Sequence, residues 1–304
     1  MLQNFNSLFD LLDAFPDEQS CVDHLRSIRW RDGEFCPHCG SNKVYHFSDR
    51  KTFKCGDCRA RFSIKVGTIF EDTKVPLRKW FMAVWMITNH PKGIASVTLA
   101  KDLKVTQKTA WFMMHRLRHA ARTKSFNAPL KGDVEADTTF VGGKEKNKHE
   151  HKRKAGSQGG ANKAIVLGIV ERDGELRAGT LPDRKATTAQ KVIRENVAKG
   201  SAIMTDEDLA FVGLDGDYFH HTVNHSKGEY VRHYCLHANT IESVWALLKR
   251  QIVGVHHWVS PKHLDRYVTE MTWRWNHRDM NVTGRMNDMF TSVEGRLRYR
   301  ELIA

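Results

Sequence analysis

The sequence predicts a mixed α/β protein in which a small β-ribbon and a helical, helix-turn-helix-like domain precede the main sheet. Three observations carry this expectation: two Cys-x-x-Cys pairs among short strand-like runs, helical periodicity after Leu77, and alternating strand and helix patterns over residues 133–276. A chain of 304 residues has room for about two domains, one with a sizeable core. Lys and Arg number 48 against 35 Asp and Glu, giving a net charge of +13 and a pI near 9.5, and 17 His can add positive charge beside a polyanion. This balance puts a nucleic acid first among partners. Hydrophobic residues at 40% and charged residues at 27% exclude both a disordered tail and a membrane protein. No apolar run reaches the roughly 18 residues of a span. The start MLQNFNSLFDLLDAF lacks the basic region and small-residue cleavage site of a leader. The chain is therefore expected in the cytoplasm, with no membrane contact.

Residues 1–29 read as a helical lead-in. Phe5, Leu8, Phe9, Leu11, Leu12 and Phe15 recur at mostly helical spacing before Pro16, and a second short helical pattern covers about 21–28. Over 30–70 the strand-like runs 44–47, 52–54 and 61–64, broken by Gly and Asp, form a ribbon with the Cys pairs at its knuckles. Residues 71–126 are helical: an apolar run at 80–87, a break at Pro91 and Gly93, a short helix over 96–103 and a longer one after Thr106. Asn127, Pro129 and Gly132 mark a linker. Residues 127–304 then form the α/β domain, with strands over 133–141, 164–170, 176–181 and 202–204 and helices over 187–198, 240–253 and 261–276.

Cys36 and Cys39 form one pair, Cys55 and Cys58 the other, with residues 40–54 between them, a spacing typical of structural zinc. Each knuckle presents two thiolates, and two knuckles close a tetrahedron with no position left for water. One structural Zn2+ is expected; a redox dithiol would occur once, near a βαβ unit. Cys21 and Cys235 are solitary and read as inert buried thiols.

Ile94, Val97, Leu99, Ala100, Leu103, Val105, Ala110 and Leu117 supply the apolar positions of two helices joined at Lys104 and Val105, with Thr106 as N-cap of the second. Its remaining face offers Gln107, Lys108, Thr109, His115, Arg116, Arg118 and His119, residue types that bond base edges and phosphates. An ordinary hairpin with a solvated basic face is the alternative. Net charge and the adjacent ribbon favour DNA, with Gln107, Lys108, Thr109 and Arg116 as contacts. The basic stretch over 144–163 includes Lys144, Lys146, Lys152 and Arg153 and is expected to clamp DNA, a solvated charge run being the alternative.

In the α/β part, Asp137 lies within a strand pattern that puts it on one face with Glu135, and Val134 and Ala136 on the other. Asp206 follows the apolar run 202–204, where a strand ends. On the helix beginning near Asn239, that residue falls along one stripe with Glu242, Ala246 and Lys249. Two strand carboxylates and a helix-borne Glu suit a two-metal phosphoryl-transfer site, with hard oxygen ligands for two Mg2+ or Mn2+ ions and Lys249 for a phosphate. Each acid is alternatively a solvated or capping residue. Glu135, Glu207, Asp208 and His237 are expected to cap, solvate or orient.

Taken together, CPHCG and the second Cys pair, the helical stretch, VEADTTFVGGKEKN, IMTDEDLAF and NTIESVWALLKRQIVGVHHWVSPKHLDRYVTEMTWRWN resemble the zinc-ribbon transposases of bacterial insertion sequences, the ISXO-like group of DDE-type enzymes. The resemblance covers nearly the whole chain and is most specific in the last segment. It implies a ribonuclease-H-like catalytic domain with two divalent ions, with Asp137 and Asp206 as first and second catalytic acids. It also implies double-stranded DNA partners, namely terminal inverted repeats and target DNA, a homo-oligomer on DNA, and a place on the bacterial nucleoid. The group is often described by the signature DDNK and related enzymes by DDEK. Both Asn239 and Glu242 lie in the matching segment, with Lys249 as its lysine. A carboxylate is the better ligand for a hard cation, which favours Glu242, with Asn239 as neighbour or alternative. Family members usually read Asp-Glu-Thr where this chain reads Asp137-Thr138-Thr139. A DNA-binding regulator without catalysis, or a nuclease that cuts but never joins, are the competing readings.

Overall fold

The computed structural model describes residues 5–122, 128–143, 149–153, 163–223 and 237–304. Two compact units emerge, one made of residues 1–122 with 279–304, the other of residues 123–278.

The first unit opens with α1 (Leu8–Ala14) and α2 (Glu18–Arg29), each begun by a capping box, Ser7 with Asp10 and Asp17 with Ser20. The ribbon follows as three antiparallel strands, β1 (Val44–His46), β2 (Thr52–Cys55) and β3 (Arg61–Ser63). Its inner face is apolar: Phe53 and Phe62 are buried, and Trp30 packs edge-on against Phe53. Next come α3 (Leu77–Asn89), α4 (Ser96–Leu103) and α5 (Gln107–Ala120). Lys104, at φ +48, ends α4 in a left-handed cap, and the Thr106 hydroxyl accepts the Thr109 N–H at 3.2 Å to start α5. The expected two helices and tight turn are therefore present.

The second unit is built on a five-stranded mixed sheet. Its strands are β4 (Asp133–Val141), β5 (Ala164–Glu171), β6 (Leu176–Leu181), β7 (Ala202–Thr205) and β8 (Phe219–Thr222), in the order β6-β5-β4-β7-β8. β4, β5 and β6 are antiparallel neighbours, whereas β7 lies parallel to β4 and β8 parallel to β7. The alternation of β4 and β5 builds two cores. Val134, Ala136, Leu167 and Ile169 pack on one face with Ile193 of α6 (Ala186–Asn196). Val141, Val166 and Val170 pack on the other with α7 (Asn239–Gln251) and α8 (Pro261–Asn276). Gly168 permits the close approach of α7, since a Cβ there would lie 2.6 Å from Trp245 Cη2 and 2.8 Å from Ile241 Cδ1. At the far end of α7, Gln251 Oε1 accepts Arg274 Nη2 at 2.9 Å, and Arg274 also pairs with Glu270.

The C-terminus corrects the expected domain over 127–304. Helices α9 (Val282–Thr291) and α10 (Tyr299–Ile303) belong to the first unit. The reason is apolar burial: Phe290 sits among His24, Phe70 and Phe81, 4.5 Å from the Phe81 ring centroid. The Thr283 hydroxyl accepts the Phe5 N–H at 2.9 Å and donates to its carbonyl at 2.7 Å. The Ile69 N–H donates to the Val293 carbonyl. Among the described residues, no helix is long and apolar enough to cross a membrane.

Candidate active site and metal centre

Asp137 sits on the central strand of the second unit, opposite Gly168 and on the face covered by α7. Its Oδ2 accepts the Trp245 indole N–H at 2.9 Å and its Oδ1 the Thr138 N–H at 2.6 Å. Each oxygen retains lone pairs for a cation. Burial pushes the carboxyl up to about 7, and the charges of Asp206 and Glu242 add to the rise. The parallel register pairs Glu135 with Met204, so two residues further along, Asp206 emerges level with Asp137. Asp206 Oδ1 accepts the Asp208 N–H, and Asp208 in turn caps the short turn Leu209–Phe211. Glu242 is exposed in the first turn of α7, one turn before Trp245. The structure thus brings Asp137, Asp206 and Glu242 into one electrostatic neighbourhood. Among the described residues only the four cysteines have ligand atoms all within 4.8 Å of one another, so the acids form a more open group. Asn239 and Lys249 are exposed on α7 at the two ends of the stripe that contains Glu242.

Glu135, expected from the sequence to cap, solvate or orient, organises this end of the sheet. It is fully buried and receives Arg172 Nε at 2.9 Å, Thr240 Oγ1 at 3.0 Å and the Ile241 N–H at 3.0 Å, with His237 Nδ1 at 3.3 Å. One carboxylate therefore ties β4 to the first turn of α7, where a negative charge also complements the helix dipole. Trp245 and Gly168 were missed in the sequence. The only signal for Trp245 was its place three residues after Glu242, and nothing local marked Gly168. Thr138, where the resemblance implies Glu, alternates onto the α6 face of β4, away from Asp137. The departure removes no group from the face of the acids.

In the first unit, Cys36 Sγ lies 3.7 Å from Cys58 Sγ and Cys39 Sγ 3.5 Å from Cys55 Sγ. A tetrahedron with metal–sulfur bonds of about 2.3 Å has edges of about 3.8 Å, so the quartet fits a zinc-sized ion. The His38 and Cys58 N–H groups donate to Cys36 and Cys55 sulfurs, both at 3.4 Å. Burial raises the Cys55 thiol, but the backbone N–H groups of Cys58 and Asp57 and the Cys39 thiol outweigh it and bring it down to about 6.

The expected DNA contacts divide. Lys108 is exposed, Thr109 pairs with the Thr106 hydroxyl, and the Gln107 amide donates to Ser96 Oγ at 2.9 Å. Arg116 is a correction. It is buried, and its Nη1 donates to the Ile69 and Glu71 carbonyls at 2.8 and 3.0 Å, so it fastens α5 to the segment after the ribbon. His115 and Arg118 are buried too. Lys144 and Lys146 lie outside the described residues, as does the Lys152 side chain; Arg153 is exposed.

Comparison with known proteins gives two matches, a transposase zinc-ribbon domain over residues 16–61 and an ISXO2-like transposase domain over residues 129–276. A protein of Halobacterium salinarum, described as an uncharacterized protein in transposable element ISH50, is 29% identical over 275 residues, spanning 84% of this chain and 90% of its own length. Among solved structures, a pre-cleavage Mos1 transpososome aligns with 72% of this chain and 80% of its own at 14% identity and a TM-score of 0.24. A Mos1 strand transfer complex aligns with 64% and 75% at 14% identity and a TM-score of 0.20. The ribbon cysteines lie inside the first match and Asp137, Asp206 and Glu242 inside the second, so the chain joins a transposase zinc-ribbon domain to an ISXO2-like transposase domain.

Proposed function

We propose that the chain binds the terminal repeats of an insertion sequence and cuts and joins DNA, with Asp137, Asp206 and Glu242 holding two Mg2+ or Mn2+ ions. The observation that carries this reading is Asp137, a carboxylate on the central strand whose pKa is raised by burial and by the charges of Asp206 and Glu242. Such a group gains most from a divalent cation, and its donors are the hard oxygens that magnesium prefers. When bound, the two ions supply activation of a nucleophilic oxygen and neutralisation of charge on the phosphate. Trp245 fixes the orientation of Asp137, Glu135 fixes the first turn of α7, and Lys249 holds a terminal phosphate as a point charge. In-line attack by water breaks a phosphodiester and frees a 3′-hydroxyl, which then attacks a target phosphodiester. Cys36, Cys39, Cys55 and Cys58 hold one structural Zn2+. Recognition of duplex ends falls to the ribbon and the turn between α4 and α5, with homo-oligomers assembling on DNA.

The test is incubation of the purified chain and magnesium with duplex DNA carrying the sequences that flank its gene. Cleaved and joined products support the proposal. Binding without cutting would mark a regulator, and cutting without joining a nuclease.

A further inference from the structure

The ribbon has a second face. Its register aligns Tyr45 with Lys54 and Lys54 with Arg61, one residue from each strand. Side chains alternate across the sheet, so this row lies opposite the row of His46, Phe53 and Phe62, in which the two Phe rings are buried. Tyr45 is 62% exposed, Arg61 is exposed and Lys54 half-buried. The Arg61 guanidinium stands 5.1 Å from the centroid of Phe47, which lies beyond Tyr45 on the same face, so the charge is held against the sheet. Elsewhere in the ribbon, Lys43 pairs with Asp57 at 3.2 Å, Arg50 with Asp23 at 3.1 Å and His46 faces Glu34 at 2.7 Å. Neither Lys54 nor Arg61 has a carboxylate within ion-pair distance among the described residues.

We infer that this outer face is a phosphate-backbone docking surface for duplex DNA, with Lys54 and Arg61 on phosphates and the Tyr45 hydroxyl beside them. The inference rests on the proposed DNA-binding function and assigns the ribbon a role apart from α5. Charge complementarity identifies the partner: two unpaired cations and an exposed phenol in a row about 10 Å wide match an anionic, hydrogen-bond-accepting strand. A protein surface would have to supply acidic groups in the same row. Contacts of this kind position DNA without reading its sequence.

The experiment uses the full-length, zinc-loaded chain and two labelled duplexes of equal length, one carrying the DNA flanking its gene and one scrambled, titrated from 50 to 300 mM salt. The Lys54→Gln, Arg61→Gln double variant is expected to bind both duplexes about tenfold more weakly, with a log K against log salt slope shallower by about 1.8, or about 0.9 for each phosphate lost. Its zinc content and circular dichroism should match wild type, and Lys43→Gln should change binding little. Wild-type affinity and slope in the double variant, with zinc intact, would overturn the inference alone. Failure of the wild-type chain to bind either duplex would overturn the DNA-binding reading and this surface with it. Weaker self-association with unchanged DNA affinity would assign the face to a second copy instead and also overturn the inference.

Discussion

Asp137 is where chain chemistry and fold meet most tightly. Its carboxyl is ordinary in an unfolded chain, near 3.8, and stands at about 7 in the metal-free fold. The folded state therefore holds this proton more firmly, and its contribution to stability falls as pH rises from about 4 to about 7. Above pH 7 the ionised group is a cost that a divalent cation can offset. Magnesium should accordingly raise the melting temperature by several degrees at pH 8 and by much less at pH 6, where the proton competes. The measurement is a thermal melt at both pH values with and without Mg2+; an equal shift at both, or one retained by Asp137→Asn, contradicts the assignment. At the third position, cleavage assays should find Glu242→Gln severely impaired, Asn239→Ala partly so, and Lys249→Ala slower with its metal dependence little changed. The reverse order for Glu242 and Asn239 would make the amide the ligand.

At the scale of elements, α7 matters because its position sets which side chains reach Asp137. Two features of the sheet place it: Glu135 captures its first turn, and Gly168 leaves room for Trp245 and Ile241. Gly168→Ala puts a methyl group inside the van der Waals surface of Trp245, so it should destabilise the second unit by about 1–3 kcal/mol and break the bond to Asp137. Glu135→Ala leaves Arg172 without its buried partner and should cost about 3 kcal/mol, whereas Glu135→Gln keeps two of the acceptor contacts and should cost less. Denaturant titration followed by Trp fluorescence measures both; wild-type stability in Gly168→Ala would show that α7 is not held against the sheet here. Much at this scale was legible in the sequence. Periodicity marked nearly every element of the sheet, and strand alternation put Asp137 and Glu135 on one face. β8 escaped because Phe219, His220, His221 and Thr222 form a short edge strand with no apolar alternation. Gly168 and Trp245 escaped because what makes them significant is a contact across 77 positions, to which local spacing is blind.

At the scale of the molecule, the two misreadings share a cause. Residues 279–304 were assigned to the α/β domain by chain order, and Arg116 to a DNA-facing surface by its charge. In the fold, Tyr299 packs edge-on against Phe112 at 5.3 Å, Gly295 lies against His119, and Arg116 is buried against the segment at 69–71. The second half of α5 is thus an interior strut of the first unit, and only its first turn remains open. An amphipathic pattern at 282–291 announces an apolar face without saying which core receives it. Truncation after Arg278 should therefore strip Phe290 and Thr283 from the N-terminal core, destabilise that unit and weaken end binding. Residues 128–278 expressed alone should remain folded. Proteolysis and circular dichroism of the two fragments check this; an N-terminal unit as stable without residues 279–304 as with them would contradict the boundary.

On the proposed function, the acids of the second unit cut DNA while the first unit holds it. The most direct measurement compares wild type with the Asp137→Asn, Asp206→Asn double variant on duplex DNA carrying the flanking sequences, in magnesium, scoring binding and strand cleavage in the same samples. Wild-type binding of the ends with no detectable cleavage is expected, because two neutral amides cannot retain the hard cations. Full cleavage by the double variant would contradict it.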